Sequence, residues 1–264
     1  MAPLPWPLLA ASLLVVFAAG IVRGFAGFGF SALCVAGLSL FVPPADVVPP
    51  IFVLEVLASL TLLRGAFKDA DWPWLSWLAL GNALFIPLGI ALLAYLPETP
   101  LRLLIGTLLL GAALLLRSGF SFALAPTRAV RLSTGLISGF VNGVAAIGGI
   151  AVAVLLSTAH MAPAAMRATM IMLFLFTDLY ALAWAGIVSA GNAADGNGAG
   201  GALLGVDTLR WAVWLAPSML AGIWIGQRSF AGVSQEQFRR RVLNLLMLIA
   251  SISVARVLLS LRPS

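Results

Sequence analysis

The chain has 264 residues, of which 62% are hydrophobic and 9% are charged, and its mean hydropathy is +1.09. Since a soluble domain carries about a quarter charged residues, this composition excludes a soluble enzyme or binding domain and predicts a polytopic helical membrane protein. The net charge of +6 would favour nucleic acid only on a soluble domain with a clustered basic face, so we expect no nucleic-acid partner.

The first element is an apolar run that breaks where a membrane helix would normally continue. Residues 6–22 are almost entirely apolar, and the segment RGFAGFGFSAL at 23–33 then introduces one arginine and three glycines. The 35 residues of 8–42 are too few for two full crossings and a turn, because each crossing needs about 20 residues. We therefore expect two short helices in a V, with the apex at 24–29 inside the membrane and the second helix beginning near Phe30.

The later elements follow the same order twice. After the first broken segment come three apolar runs, a linker at 118–131 that we expect in the cytoplasm, a second broken segment at 132–162, and three more runs. A Gly-rich polar insertion at 191–207 interrupts the second half and is predicted to be a flexible external loop. The membrane spans are expected at 46–64, 73–96, 100–117, 164–189, 208–227 and 237–260.

The two halves are copies of one unit. With a shift of 119 positions, GIVRGFAGFGFSALCV (20–35) lies over GFVNGVAAIGGIAVAV (139–154), and seven of the sixteen positions are identical. Beyond the insertion, a shift of 137 pairs Gly89 with Gly226. We therefore expect an all-α fold of two repeats, each a broken-helix hairpin followed by three transmembrane helices. The repeats are predicted at 1–117 and 132–264.

The positive charges predict that the repeats have opposite orientations. After the second element, the first copy carries Arg64 and Lys68, whereas the matching loop of the second copy carries Asp195 and Asp207. Cytoplasmic loops are enriched in Lys and Arg, so matching loops prefer opposite sides of the membrane, which is typical of an inverted repeat. With the linker inside, both termini are expected outside. The alternative is a parallel repeat in which each broken segment forms a single span.

The two breaks offer the chemistry of an anion site. Backbone N–H groups freed at a break carry a partial positive charge, and glycines let an anion approach them closely. Arg23 lies beside the first break, and its equivalent in the second copy is Asn142. A guanidinium, an amide and two helix N-termini are expected to bind a small oxyanion near the membrane midplane. The alternative is that Arg23 extends from its helix to the membrane surface.

Two carboxylates fall within predicted membrane spans. Glu55 is more than one helical turn inside its span, and Asp178 lies in FLFTDLY at the position equivalent to Ser59. Carboxylates inside the membrane are costly and often take up protons, so both are candidates for proton coupling. The alternative is a structural ion pair or hydrogen bond, with Arg23 or Arg64 as the partner.

Few residues could hold a metal or catalyse a reaction. The chain contains one cysteine, Cys34, and one histidine, His160. A single cysteine cannot form an intramolecular disulfide, and these two residues are too few for a metal site or a nucleophile–base pair. We therefore expect no metal, no cofactor and no enzymatic activity.

The motifs at the two breaks resemble those of the sulfite exporter TauE/SafE family. The first copy has a G-x-x-G-F-G pattern followed by two prolines, and the second copy has glycines after an asparagine. The residues that carry the resemblance are Gly24, Gly27, Phe28, Gly29, Pro43 and Pro44, with Asn142, Gly143, Gly148 and Gly149 in the second copy. The resemblance implies a bacterial inner-membrane transporter, often associated with sulfite or organosulfonate export. Phe28 and Phe30 make the first half-site more apolar, so an organosulfonate suits it at least as well as sulfite.

These features together predict a secondary transporter that exports a small sulfur oxyanion or organosulfonate by alternating access. The expected partners are the small anionic substrate and membrane lipid, and the oligomeric state is open, with a homodimer as one option. The alternatives are an importer, a channel-like anion pathway or, from another class, an intramembrane enzyme or a structural subunit. The residues expected to bind substrate are Arg23, Gly24, Gly27, Phe28, Gly29, Phe30, Ser31, Asn142, Gly143, Gly148 and Gly149, and those expected to couple transport to protons are Glu55 and Asp178.

Overall fold

The computed structural model describes residues 6–118, 127–158, 161–194, 203–228, 244, 246–252 and 254–255. All regular structure in this part of the chain is helical, which confirms the predicted all-α class. The helices with defined bounds are α1 (Trp6–Ala26), α2 (Phe30–Leu38), α3 (Pro44–Asp69), α4 (Trp72–Tyr95), α5 (Glu98–Arg117), α6 (Arg128–Ala145), α7 (Gly149–Thr158), α8 (Pro163–Ala194) and α9 (Val206–Arg228).

Five of the described helices, α1, α3, α4, α5 and α8, are long and apolar enough to cross a membrane. The chain is therefore a multi-pass membrane protein. α9, predicted as a span at 208–227, is not among the five, because Arg210 and its tryptophans lower its mean hydropathy. Most of the predicted span at 237–260 lies outside the described residues.

The first broken segment folds into a hairpin with unequal arms. α1 has 21 residues and α2 has 9, so the structure differs from the prediction of two short helices, because no residue before the turn stops α1. A Cβ at Gly37 would lie 2.9 Å from Cγ1 of Val15, and one at Gly29 would lie 3.4 Å from Cγ1 of Val22. α2 therefore runs back along α1.

Two predicted loop segments are partly helical. α6 begins at Arg128, so the last four residues of the predicted linker belong to this helix. The Thr127 side chain accepts a hydrogen bond from the Val130 N–H and caps the helix there. α8 continues to Ala194, into the predicted loop at 191–207.

The two halves exchange their packing partners. α1 of the first half packs against α9 of the second, and α6 of the second packs against α4 of the first. Both contacts run through small residues that let the backbones approach closely. A Cβ at Gly226 would lie 3.1 Å from the Gly24 Cα, and one at Gly143 would lie 2.9 Å from the Gly89 Cα. These two glycine pairs are equivalent under the sequence shifts of 119 and 137 positions, so the packing agrees with the predicted repeat.

The helix directions support the inverted repeat, which stays a prediction. The Asp71 N–H donates to the Thr169 hydroxyl at 2.9 Å near the starts of α4 and α8. The Tyr95 hydroxyl donates to Oδ1 of Asn192 at 2.8 Å near their ends, so α4 and α8 run in the same direction. Only two residues connect α3 to α4, so α3 and its repeat equivalent α8 run in opposite directions.

Candidate anion-binding site

The first break is a three-residue turn built on two glycines. α1 ends at Ala26 and α2 begins at Phe30, and between them Gly27 and Gly29 have φ angles of 79° and 90°. Residues with a Cβ avoid this left-handed region. The Gly27 N–H donates to the Arg23 carbonyl at 2.8 Å and closes the last turn of α1. The predicted break is therefore present, and it covers residues 27–29 rather than the predicted 24–29.

Arg23 is fully buried beside this turn. Its Nη1 donates to the Gly27 carbonyl at 2.7 Å, and its Nη2 donates to the Ser59 hydroxyl at 3.0 Å. Nη2 also lies 3.2 Å from Oε2 of Glu55. Since the side chain has no exposed surface and all these partners lie inside the protein, the alternative in which Arg23 extends to the membrane surface is wrong.

The Glu55 carboxylate connects Arg23 to the start of α2. While Oε2 pairs with Arg23, Oε1 accepts a hydrogen bond from the Ser31 N–H at 3.2 Å. Both Glu55 and Ser31 are buried. A carboxylate interacts favourably with the free N–H groups at a helix N-terminus. The ion pair with Arg23, one of the two roles expected for Glu55, is therefore confirmed, and the carboxylate occupies the place predicted for an anion.

The second break repeats this backbone geometry without the arginine. Between α6 and α7, Ala146 has a φ of 58°, and its N–H donates to the Asn142 carbonyl at 2.7 Å. The Asn142 side chain accepts from the Gly148 N–H at 3.4 Å and donates to Oδ1 of Asp178 at 2.9 Å. An amide thus satisfies the N–H group at the second break, where a carboxylate does so at the first.

The side-chain contacts of the two breaks are equivalent under the repeat. Arg23 contacts Ser59 and Asn142 contacts Asp178, and 36 positions separate the residues of each pair. The same shift of 119 positions places Glu55 over Phe174. The two breaks therefore share a scaffold but carry different groups, a cation with a hydroxyl in one and an amide with a carboxylate in the other.

Phe174 connects the two breaks, a role that the sequence does not predict. Its ring lies against the guanidinium of Arg23, with Cζ 4.5 Å from the ring centroid, in a cation–π contact. A Cβ at Gly149 would collide with the same ring, so the space beside Gly149 is filled by Phe174. The one available signal is that Phe174 is the repeat equivalent of Glu55.

Arg23, Glu55 and Asp178 form one buried group, which we call the charge cluster. Asp178 is 1% exposed and interacts electrostatically with both Arg23 and Glu55. Among the described residues, Nε of Arg23 and Oδ2 of Asp178 have no hydrogen-bond partner, and Oε2 of Glu55 has only the ion pair. Incompletely satisfied buried charges are costly, and their presence is typical of a functional site.

The other predicted binding residues lie outside this cluster. Gly24 and Gly143 lie within α1 and α6, where they pack against α9 and α4 rather than form the turns. Phe30 is fully buried in the core. Phe28 is half-buried and packs against an apolar group of residues that includes Phe174.

Arg167 is a second arginine at the first break, and its position there is not predicted from the sequence. Its Nη2 donates to the Gly24 carbonyl at 3.0 Å. A Cβ at Gly27 would lie 2.7 Å from Cγ of Arg167, so the stem of this half-buried side chain covers the turn. The available signal is a lone charge in the apolar segment AAMRATMIM.

Among the described residues, no group of three or more His, Cys, Asp or Glu side chains could hold a metal ion. His160 lies outside these residues.

A protein-family model described as Sulfite exporter TauE/SafE matches residues 12–254. This range contains both breaks, the charge cluster and Arg167. Neither the curated proteins nor the solved structures gave a match to the chain.

Proposed function

Since the chain belongs to the sulfite exporter TauE/SafE family, it is a membrane transporter, and we propose that it exports a small sulfur oxyanion or an organosulfonate across the bacterial inner membrane. Members of this family are transporters rather than enzymes.

The observation that carries the proposal is the fully buried guanidinium of Arg23 at the first break. An arginine inside a membrane protein is costly and is typical of a substrate pathway. Its planar fork presents paired N–H donors that match the oxygens of a sulfonate or of sulfite. Because Nε has no hydrogen-bond partner among the described residues, one donor of this fork is available to a ligand.

The first break also offers apolar surface next to the positive charge. The ring of Phe174 lies against the guanidinium, and Phe28 packs against the same apolar group. An organosulfonate has a carbon portion that can contact these rings, whereas sulfite has none. This arrangement favours an organosulfonate as the substrate.

Alternating access is the mechanism that the repeat supports best. Two halves with opposite orientations can expose a site between them to either side of the membrane in turn. With both termini outside, as the charge pattern predicts, the linker lies in the cytoplasm. An inside-negative potential favours the export of an anion by about 2.3 kcal/mol per charge per 100 mV, so the potential contributes to export.

Glu55 and Asp178 are the residues that we propose to couple transport to protons. Both are 1% exposed, and the charge cluster contains only one cation. If all three groups were ionised, the cluster would carry one net negative charge, and one bound proton would neutralise it. The variants Glu55→Gln and Asp178→Asn should weaken the pH dependence of transport, and a residue whose variant leaves that dependence unchanged has no coupling role.

A stripe of exposed leucines on α4 is proposed to contact membrane lipid. Leu80, Leu84 and Leu88 are 48%, 59% and 51% exposed. Residues four positions apart share one face of a helix, so the three side chains form a continuous apolar surface. Such a surface suits hydrocarbon better than water.

Efflux from proteoliposomes tests the proposed function. Proteoliposomes with the wild type should release labelled sulfite, taurine or sulfoacetate faster than protein-free liposomes loaded with the same anion. Arg23→Gln should reduce the rate about 10- to 100-fold, since hydrogen bonds to a charged group contribute about 1.5–3 kcal/mol. The matched control is Arg64→Gln, which alters an exposed arginine of α3 and should leave the rate unchanged. The absence of efflux for all three anions, or equal losses in both variants, contradicts the proposal.

A further inference from the structure

The Glu55 carboxylate makes the contacts that a bound substrate anion would make. It pairs with the buried guanidinium of Arg23 at 3.2 Å and accepts the Ser31 N–H at the start of α2 at 3.2 Å. These are the two features, a cation and a helix N-terminus, that bind oxyanions. A carboxylate of the protein and an external sulfonate cannot occupy this position at the same time.

We propose that Glu55 is a tethered ligand, whose carboxylate occupies the anion site at the first break and must leave before the substrate binds. This inference rests on the proposed function, because it uses the same site. In the structure, the protein itself supplies the anion at this site. Substrate and Glu55 compete for Arg23 and for the N–H groups at the start of α2.

The contacts of Glu55 are longer than those that hold the Arg23 side chain. Charge-assisted hydrogen bonds are usually about 2.7–2.9 Å, and both contacts of Glu55 are 3.2 Å. Oε2 has no hydrogen bond of its own among the described residues. Arg23, by contrast, holds Gly27 at 2.7 Å and Ser59 at 3.0 Å. When Glu55 leaves, Arg23 therefore keeps two partners and its position.

The repeat shows that the scaffold does not need a carboxylate at this place. The equivalent of Glu55 in the second half is Phe174, an apolar residue, and α8 is helical there. The second break holds its N–H group with the Asn142 side chain and lacks a tethered carboxylate at the matching position. A glutamate at position 55 is therefore specific to the half that carries the arginine.

Titratable groups on three helices lie around Glu55. Arg23 on α1 pairs with the carboxylate, and Asp178 on α8 and Cys34 on α2 interact with it electrostatically. Since Arg23 is the one cation of the charge cluster, the Glu55 carboxylate and a substrate anion compete for the same charge.

Binding measurements on the purified protein test this competition. The dissociation constants of sulfite, taurine and sulfoacetate are measured for the wild type, Glu55→Gln and Glu55→Ala. Glu55→Gln removes the charge at nearly constant shape and should bind the substrate at least about tenfold more tightly. The matched control is Glu98→Gln, which removes an exposed carboxylate paired with Arg102 and should not change the affinity.

A second measurement uses formate as a free carboxylate. If Glu55→Ala vacates the site, formate should bind there and raise the melting temperature of this variant, since a ligand of the folded state stabilises it. Formate should leave the melting temperature of the wild type unchanged, because Glu55 occupies the position. Equal responses of the two proteins to formate contradict the tethered ligand.

The outcomes separate this inference from the proposed function. If the wild type binds a probe and Glu55→Gln binds it no more tightly, the tethered ligand is wrong and the proposed function stands. If no protein binds any sulfur anion but formate stabilises Glu55→Ala alone, the tethered ligand stands and the proposed substrate class is wrong.

Discussion

The two breaks have the same backbone but different charges. In each break, an N–H group of the turn donates to the carbonyl of residue 23 or residue 142, at 2.8 and 2.7 Å respectively. The side chain of that residue then contacts a residue 36 positions later in the sequence. The first break places a guanidinium and the Glu55 carboxylate at the start of α2, whereas the second places an amide at the start of α7.

This difference indicates that the backbone common to the two breaks sets the geometry and that a few side chains set the chemistry. Where the first half has Arg23, Glu55 and Ser59, the second half has Asn142, Phe174 and Asp178. Only the first break therefore combines a helix N-terminus with a fixed cation. The second half supplies the Asp178 carboxylate of the charge cluster and the Phe174 ring that contacts Arg23.

The largest effect on stability is expected from the arginine of the first break. Arg23→Gln should lower the free energy of unfolding by about 3–5 kcal/mol, because it leaves the Glu55 carboxylate buried without its partner. The double variant Arg23→Gln with Glu55→Gln should recover most of this loss, as measured by denaturant titration in detergent. A double variant as unstable as the single one would show that the ion pair is not the cause.

The glycines at the exchanged helix contacts should show equal effects in the two halves. Gly24→Ala and Gly143→Ala should each cost about 1–3 kcal/mol of unfolding free energy, because their Cβ atoms would meet the backbones of α9 and α4. Gly65→Ala is the control, since no atom lies within 4 Å of its Cβ position, and it should stabilise α3 by about 0.5–1 kcal/mol. A loss of stability in only one of the two variants would show that the two helix contacts are not equivalent.

Substitution of the asparagine at the second break should lower stability without changing the affinity for the anion. Asn142→Ala removes the partners of the Gly148 N–H and of Oδ1 of Asp178, which should cost about 1–2 kcal/mol. Calorimetric titration with sulfoacetate should give the affinity of the wild type. If Asn142→Ala weakens anion binding as much as Arg23→Gln does, the two breaks are not chemically different.

The smallest effect on stability is expected from Arg167. This side chain is half-buried, so Arg167→Gln should change the unfolding free energy by less than about 1 kcal/mol. The positive charge of Arg167 at the first break should attract sulfoacetate, which carries two negative charges, more strongly than taurine, which carries no net charge. The variant should therefore weaken sulfoacetate binding more than taurine binding. Equal losses of affinity for both ligands would exclude Arg167 from substrate recognition.

Much of the scaffold is predictable from the sequence because hydropathy and internal repetition are local signals. Both breaks, four of the five long apolar helices (α3, α4, α5 and α8) and the burial of Glu55 and Asp178 follow from them. The shift of 119 positions also places Asp178 over Ser59, which anticipates the equivalent contacts made by Arg23 and Asn142. These features need no knowledge of how the two halves pack.

The residues that the sequence does not place are those that act between the halves. Phe174 and Arg167 are remote in sequence from the first break and reach it only because α8 packs against α3. Gly24 and Gly143 illustrate a different difficulty, since a glycine suits both a turn and a close helix contact. The available signal for the helix contact is that Gly89 and Gly226 are equivalent under the second shift. Gly24 packs against Gly226, and Gly143 packs against Gly89.

The central claim is that a sulfur anion binds at the first break and not at the second. The most direct measurement is a crystal structure of the protein soaked with 2-bromoethanesulfonate, in which anomalous scattering locates the bromine. The predicted result is one bromine peak near Phe28 and Phe174, with the sulfonate on Arg23 and the Glu55 carboxylate displaced from the start of α2. A peak beside Asn142 with Glu55 still paired to Arg23 would contradict the claim.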